Sequence, residues 1–202
     1  MSDDDVLRTQ AAGLGVLLDP PQISQLRRFE ELLARRAIPL GAISRSDSTR
    51  LRERHTLDCL RAVPVVEGVD EAADLGSGAG LPGAVVAIAL PRVRVLLIER
   101  RPKRAAFLEL AVEELGLSNA AVFAGRVEDV TGEVDVALAR AVAPLEEAWV
   151  RAGGILRPDG RLVYFAGAET ATPKPPAGSV IRSVLRTPVL ESAGALVIMT
   201  RQ

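Results

Sequence analysis

The sequence is short of several things at once, and each shortage closes off a class of protein. A single cysteine, Cys59, excludes an intramolecular disulfide and a cysteine-rich metal centre, and points to a reducing cytoplasm. With one histidine, His55, beside it, no metal site is expected. Aromatic residues make up 3% of the chain, so the core must be aliphatic. No apolar run reaches the roughly 20 residues that span a bilayer. Met1-Ser2-Asp3-Asp4-Asp5 lacks the charged-then-apolar order of a signal peptide. Lysine is nearly absent: of 25 basic residues only Lys103 and Lys174 are not arginine. A net charge of −1 argues against a general nucleic-acid coat while leaving local patches open. Arginine is the better residue for bidentate phosphate contacts. What is abundant is apolar: 48% of 202 residues, enough for one domain with a substantial core.

The centre of the chain is Ala72-Ala73-Asp74-Leu75-Gly76-Ser77-Gly78-Ala79-Gly80-Leu81-Pro82-Gly83. It reads as the end of a buried strand, a glycine turn and a helix start, with Pro82 in the first helical turn. Such a turn brings backbone close to a ligand, and the helix start offers free N–H groups. Gly78-x-Gly80-x-x-Gly83 has dinucleotide-fingerprint spacing. Asp74 followed by Gly76-x-Gly78-x-Gly80 has the spacing of the first motif of class I methyltransferases. Glu99, ending the next strand, suits the ribose hydroxyls of either cofactor.

Around this motif the pattern alternates. Strands are expected at 71–75, 93–99, 120–124, 134–139 and 161–166, with helices at 82–90, 102–115 and 144–152. A short turn covers 127–130, and a tight turn 156–162. This predicts a mostly parallel sheet wound on both faces. Strands at about 180–187 and 195–201, joined through Glu191-Ser192-Ala193-Gly194, must pair antiparallel. That terminal hairpin belongs to a methyltransferase sheet rather than to a six-stranded dinucleotide domain. Residues 167–178 read as a surface loop.

Residues 1–66 are expected to form a helical extension packed on a core domain of 67–202. A helix is expected over about 5–18. A second follows Asp19-Pro20-Pro21-Gln22, with Ile23, Leu26, Phe29, Leu32 and Leu33 on one face. A third, capped at Ser46-Asp47-Ser48, runs to Arg61 and carries Arg50, Arg54, Asp58 and Arg61 on one side. Two readings of that side stay open: a solvated face with intrahelical ion pairs, or part of a site.

At this level of detail the chain resembles the GidB/RsmG family. The resemblance rests on Asp74-Leu-Gly-Ser-Gly-Ala-Gly-Leu-Pro-Gly83, Glu99-Arg-Arg-Pro-Lys-Arg-Ala-Ala-Phe-Leu108, Gly125-Arg-Val-Glu128, Leu138-Ala-Arg-Ala-Val-Ala-Pro-Leu145 and Arg54-His-Thr-Leu-Asp58. Three features depart from the family. Ala166-Gly167 stands where Lys-Gly is usual, Gly41-Ala42-Ile43 replaces an Asn-Leu-Thr, and the chain is short after residue 166.

The resemblance implies a class I, Rossmann-like fold and S-adenosylmethionine as cofactor. It implies methylation of N7 of a guanine in 16S rRNA or the small ribosomal subunit, by a cytoplasmic protein expected to be monomeric. Asp74, Gly76, Gly78, Gly80, Leu81, Glu99, Val127, Glu128 and Arg140 are the implied cofactor residues. Arg140 and His55 are the candidate catalytic residues, and Arg54, Arg101 and Lys103 the candidate RNA contacts. Arg50, Arg52, Arg100 and Arg104 are further phosphate candidates, and Tyr164 and Phe165 are placed for stacking. For Arg140 three partners are open: the methionine carboxylate, an RNA phosphate, or a structural acid such as Glu128 or Glu146. His55 and Asp58 either shape the guanine pocket or pin the N-terminal helices. Two rival functions remain: a non-catalytic S-adenosylmethionine-binding regulator, and an NAD(P)-dependent oxidoreductase.

Overall fold

The computed structural model describes residues 1–167, 174–190 and 193–202. The 167–178 loop and the 191–194 turn expected from sequence lie partly outside these.

The seven strands are β1 (Glu71–Leu75), β2 (Arg94–Ile98), β3 (Ala120–Phe123), β4 (Val134–Arg140), β5 (Leu156–Phe165), β6 (Ser179–Leu185) and β7 (Leu196–Arg201). They form one sheet in the order β3-β2-β1-β4-β5-β7-β6. The first five are parallel, and β7 runs antiparallel to both its neighbours. From β1 the chain winds outward through β2 and β3, then returns to place β4 on the other side of β1. In open sheets that switch, at the carboxyl ends of the strands, is where ligands bind.

Helices cover the two faces unequally. α5 (Gly83–Ala89) and α6 (Pro102–Leu115) follow β1 and β2, and α7 (Leu145–Gly153) follows β4. On one face Ala72, Val95, Leu97, Val136, Leu138 and Val163 join one hydrophobic cluster with α5, α6 and the whole N-terminal part. On the other, Ala73, Leu75, Ala137, Ala139 and Leu162 pack against Ala148, Trp149 and Ala152 of α7.

The N-terminal part comprises α1 (Asp3–Gly13), α2 (Pro20–Leu32), α3 (Asp58–Leu60) and α4 (Val63–Val66). The Asp19 cap is present, with Gln22 returning its bond to the Asp19 N–H. The same Gln22 amide donates to the Ile88 and Ala89 carbonyls, closing the end of α5. Gln25 and Arg28 do the same for the end of α6, through Leu115 and Glu114. Unsatisfied terminal carbonyls thus fix where α2 lies. No helix among the described residues is long and apolar enough to cross a membrane.

Several expectations are corrected. α1 begins at a Ser2 capping box and ends at Gly13, short of residue 18. The helix expected from 49 to 61 is a π-helix over Arg52–Leu57 followed by the short α3. The wider turn changes which side chains share a face, and it buries His55, Thr56 and Leu57 together. Residues 156–162 lie within β5. Leu156 pairs with Val134 and Arg161 with Val136, leaving 157–160 as an excursion in the strand.

Candidate active site

Two clefts open at the carboxyl ends of the strands, on either side of Ala141. The first is lined by Gly76, Glu99, Val127, Glu128, Ala141, Val142 and five arginines. The second is lined by Glu53, Arg54, Asp58, Arg140, Ala141, Tyr164, Phe165, Ala166 and Gly167, with Ala193 and Gly194. Ala141 belongs to both and holds φ at 53°. A non-glycine residue at positive φ is uncommon and persists where its surroundings over-determine it.

The floor of the first cleft is the glycine turn. Gly76 has φ +69°, and a Cβ on it would stand 2.6 Å from Val142 Cγ2, so the β4 loop can close over the turn only because Gly76 has none. Gly83 lets α5 approach: a Cβ there would clash with Leu97 and stand 2.7 Å from the Asp74 side chain. That approach puts the Gly83 N–H 2.9 Å from Asp74 Oδ2. Some of the turn's other amides are engaged too. Those of Gly80 and Leu81 close on the Ser77 carbonyl, and that of Gly78 donates to Glu99 Oε2 at 3.0 Å. The helix start therefore offers fewer free N–H groups than expected from sequence. It is capped from within by Asp74.

Asp74 is 1% exposed, its Oδ1 has no partner, and burial pushes its carboxyl up to about 6. A buried carboxylate oxygen without a donor is costly, and an ammonium group is one donor that satisfies it. Glu99 is buried too. It accepts from the Gly78 N–H and, through Oε1 at 2.8 Å, from the Arg101 N–H, which aims its remaining lone pairs. Glu99 and the Gly76 backbone, which line the first cleft, fit a ligand that bears vicinal hydroxyls, as S-adenosylmethionine does.

The second cleft is organised by Arg140. Its Nε donates to Asp58 Oδ2 at 3.1 Å, and its Nη2 to the Arg54 carbonyl at 2.9 Å. Nη2 also lies 2.9 Å from His55 Nδ1. A guanidinium only donates, so Nδ1 accepts and the ring proton sits on Nε2. Burial, helped by the Arg140 charge, holds His55 down at about 4, so the ring is neutral. Asp58 also pairs with the buried Arg61, which donates to the Gly194 carbonyl at 2.8 Å and stands 5.9 Å from the Phe165 ring centroid. Arg54 pairs with Asp47 at 3.3 Å.

The sequence-predicted residues divide accordingly. Glu99, Gly76, Val127 and Glu128 line the first cleft, Glu128 between Arg126 and Arg151 at 3.7 and 3.8 Å. Gly80 faces the core: a Cβ there would meet Ala84, Leu108 and Phe29. Leu81 is buried, and Asp74 lines neither cleft. Arg140 pairs with Asp58 rather than with Glu128 or Glu146, and lines the second cleft rather than the first. His55 is buried behind Arg140, pinning the N-terminal part, and Cys59 is a packed thiol that burial raises to about 12. Arg101 and Lys103 are exposed, as are Arg50 and Arg100. Arg52 is not available for RNA: it clamps Asp3 and Glu30.

Sequence reading missed Gly83 as the partner of Asp74, and Arg126, Arg151 and Glu53 as cleft residues. The Leu-Pro-Gly tail was the one visible signal for Gly83. Nothing local marks the other three.

Comparison with known proteins gives a consistent picture. The family described as rRNA small subunit methyltransferase G matches residues 22–173. The ribosomal RNA small subunit methyltransferase G of Mycolicibacterium gilvum is 37% identical over 156 residues, covering 75% of this chain and 68% of the relative. That of Acidothermus cellulolyticus is 40% identical over 141 residues, covering 70% and 64%. The chain thus spans about two thirds of the length of these relatives. Among solved structures, mitomycin 7-O-methyltransferase superposes with a TM-score of 0.59 at 21% identity, over 77% of this chain and 55% of the other. Aeropyrum pernix fibrillarin with natively bound S-adenosyl-L-methionine gives 0.52 at 19% identity, over 65% and 66%. These structural likenesses concern the fold.

Proposed function

Since the chain belongs to the rRNA small subunit methyltransferase G family, we propose that it transfers a methyl group from S-adenosylmethionine to N7 of a guanine in 16S rRNA. The observation that carries this reading is the pair of clefts meeting at Ala141. One has the acids and glycine backbone for the donor. The other has arginines and an aromatic edge for a base splayed out of its RNA strand.

When bound, S-adenosylmethionine supplies an electrophilic methyl group on a sulfonium. Guanine N7 has a lone pair and no proton, so the residues around it need to orient rather than to deprotonate. The side chains suit that division. His55 is neutral and tied to Arg140, and Cys59 is buried as a thiol. In this reading Glu99 holds the ribose hydroxyls, Asp74 the ammonium through water, and Val127 with Glu128 bounds the adenine. Arg140, held at three points, is a rigid wall of the acceptor cleft, and Phe165 and Tyr164 present the stacking surface. Arg54, Arg101 and Lys103 would take phosphates.

The dinucleotide alternative is disfavoured by the sheet, which ends with β7 antiparallel between β5 and β6. The non-catalytic alternative draws on Ala166, which stands where the family's lysine is usual and lies in the second cleft. One experiment addresses the activity: labelled S-adenosylmethionine is added with the protein to small subunits from a strain lacking this methylation. Label at guanine N7 is expected. Donor binding without transfer would favour the regulator.

A further inference from the structure

The first cleft carries a charge imbalance, and its meaning for function rests on the methyltransferase reading. Its lining holds the guanidiniums of Arg100, Arg101, Arg104, Arg126 and Arg151 against only two carboxylates, Glu99 and Glu128. Arg126 and Arg151 have acid neighbours in Glu128, and Arg151 also in Glu147 at 2.5 Å. Among the described residues no carboxylate stands within ion-pair distance of the Arg100, Arg101 or Arg104 guanidinium. Arg104 donates to the Gly41 carbonyl at 2.9 Å. Its Nη1 lies 3.9 Å from where a Cβ on Gly78 would stand, so it hangs beside the glycine turn.

S-adenosylmethionine has no phosphate with which to neutralise this rim. Its ammonium and sulfonium outweigh its carboxylate, so it is a net cation. The product, S-adenosylhomocysteine, has lost the sulfonium charge and is neutral. A cationic rim therefore penalises the donor more than the product, and an RNA backbone is the one reactant that brings the missing anions.

We propose that the arginine rim couples RNA binding to donor binding. In the free protein it disfavours the cationic donor relative to the neutral product. RNA phosphates on the rim remove that penalty, so RNA and donor bind cooperatively. By linkage the donor strengthens RNA binding by the same factor, while the neutral product does so less. The rim thus favours donor loading on RNA-bound enzyme and weakens the grip on RNA once the charge has left the cleft.

The test uses two ligands of similar shape. Sinefungin bears an ammonium where the donor has its sulfonium and does not react; S-adenosylhomocysteine is its neutral counterpart. Their dissociation constants are measured calorimetrically on the full chain at about 0.05 and 0.5 M potassium chloride, where screening differs several-fold. Low-salt measurements are repeated with an unmodified 16S rRNA transcript. The ratio of the sinefungin constant to that of S-adenosylhomocysteine should fall about threefold or more on raising salt, and comparably on adding RNA. The exposed double variant Arg100→Gln with Arg101→Gln should already show the lower ratio at low salt. If both ligands bind but the ratio ignores salt, RNA and substitution, the coupling is overturned and the methyltransferase reading survives. If neither ligand binds, the cofactor reading itself fails, and the coupling with it.

Discussion

Asp74 is the residue whose chemistry is most exposed to test. An aspartate titrates at 3.8 in the reference state and near 6 in this fold, because burial disfavours its charge. A raised carboxyl pKa means that the folded chain holds its proton to higher pH than the unfolded chain does. Stability is thus undiminished below about 3.8, falls as pH rises towards 6, and carries the full penalty above it. That penalty is about 3 kcal/mol at most. Asp74→Asn keeps a group that can accept from the Gly83 N–H and does not titrate. Wild type should therefore lose stability relative to the variant between about pH 4 and pH 7, as read by urea unfolding at each pH. Because an ammonium near Oδ1 would offset the penalty, thermal stabilisation by S-adenosylmethionine should grow over the same interval in wild type and much less in the variant. A pH-independent difference between the two proteins would falsify this account of Asp74. Arg140 makes a different prediction. Lysine keeps the charge opposite Asp58 but cannot also reach His55 Nδ1 and the Arg54 carbonyl. Arg140→Lys should fold, lose about 1–3 kcal/mol, and lose about tenfold or more in single-turnover transfer through a misplaced cleft wall. Its donor affinity should stay near wild type, because Arg140 lines the other cleft. A large fall in donor affinity would return Arg140 to the cofactor.

Among the elements, α2 matters for more than its own burial. Ile23, Leu26 and Phe29 are buried along one face, and the Phe29 ring supports the glycine turn from below: its Cζ is 3.3 Å from where a Cβ on Gly80 would stand. In the proposed reading α2 is therefore part of the cofactor floor. Phe29→Ala should cost about 3–5 kcal/mol in chemical denaturation. Because the turn loses its support, donor affinity should also fall at a temperature where the variant remains folded. Unchanged donor affinity in a destabilised but folded Phe29→Ala protein would confine α2 to a purely structural role.

For the whole molecule the decisive quantity is where positive charge gathers, since the net charge is only −1. Arg54 stands in the second cleft and Arg101 in the first, with Ala141 between them. RNA lying across the mouths of both clefts would meet both guanidiniums. Arg54→Glu with Arg101→Glu should weaken RNA binding most at low salt and flatten the dependence of log affinity on log salt. The expected change in slope is roughly 0.7 for each phosphate of single-stranded RNA that the protein no longer neutralises. An unaltered slope in filter binding would show that these arginines are ordinary solvated charges.

Much of this architecture was legible in the sequence. β1 and α6 fall at the expected residues, Glu71–Leu75 and Pro102–Leu115, and Asp19 with Gln22 forms the expected cap. These features depend on side-chain periodicity, glycine conformations and capping groups within a few residues of one another, which is the range over which local sterics and hydrogen bonding act. The antiparallel hairpin was legible for the same reason, since a short connection permits no other pairing. Tertiary structure decided which charges meet across the fold. Arg140 takes Asp58 from 82 positions away, and Arg52 takes Asp3 and Glu30 instead of RNA. With 25 basic and 26 acidic residues there are far more possible pairs than contacts, and Coulomb attraction does not depend on sequence separation. Only the packed backbone selects among them. The orientation of Gly80 towards Phe29 has the same origin, since it too joins residues far apart in the chain.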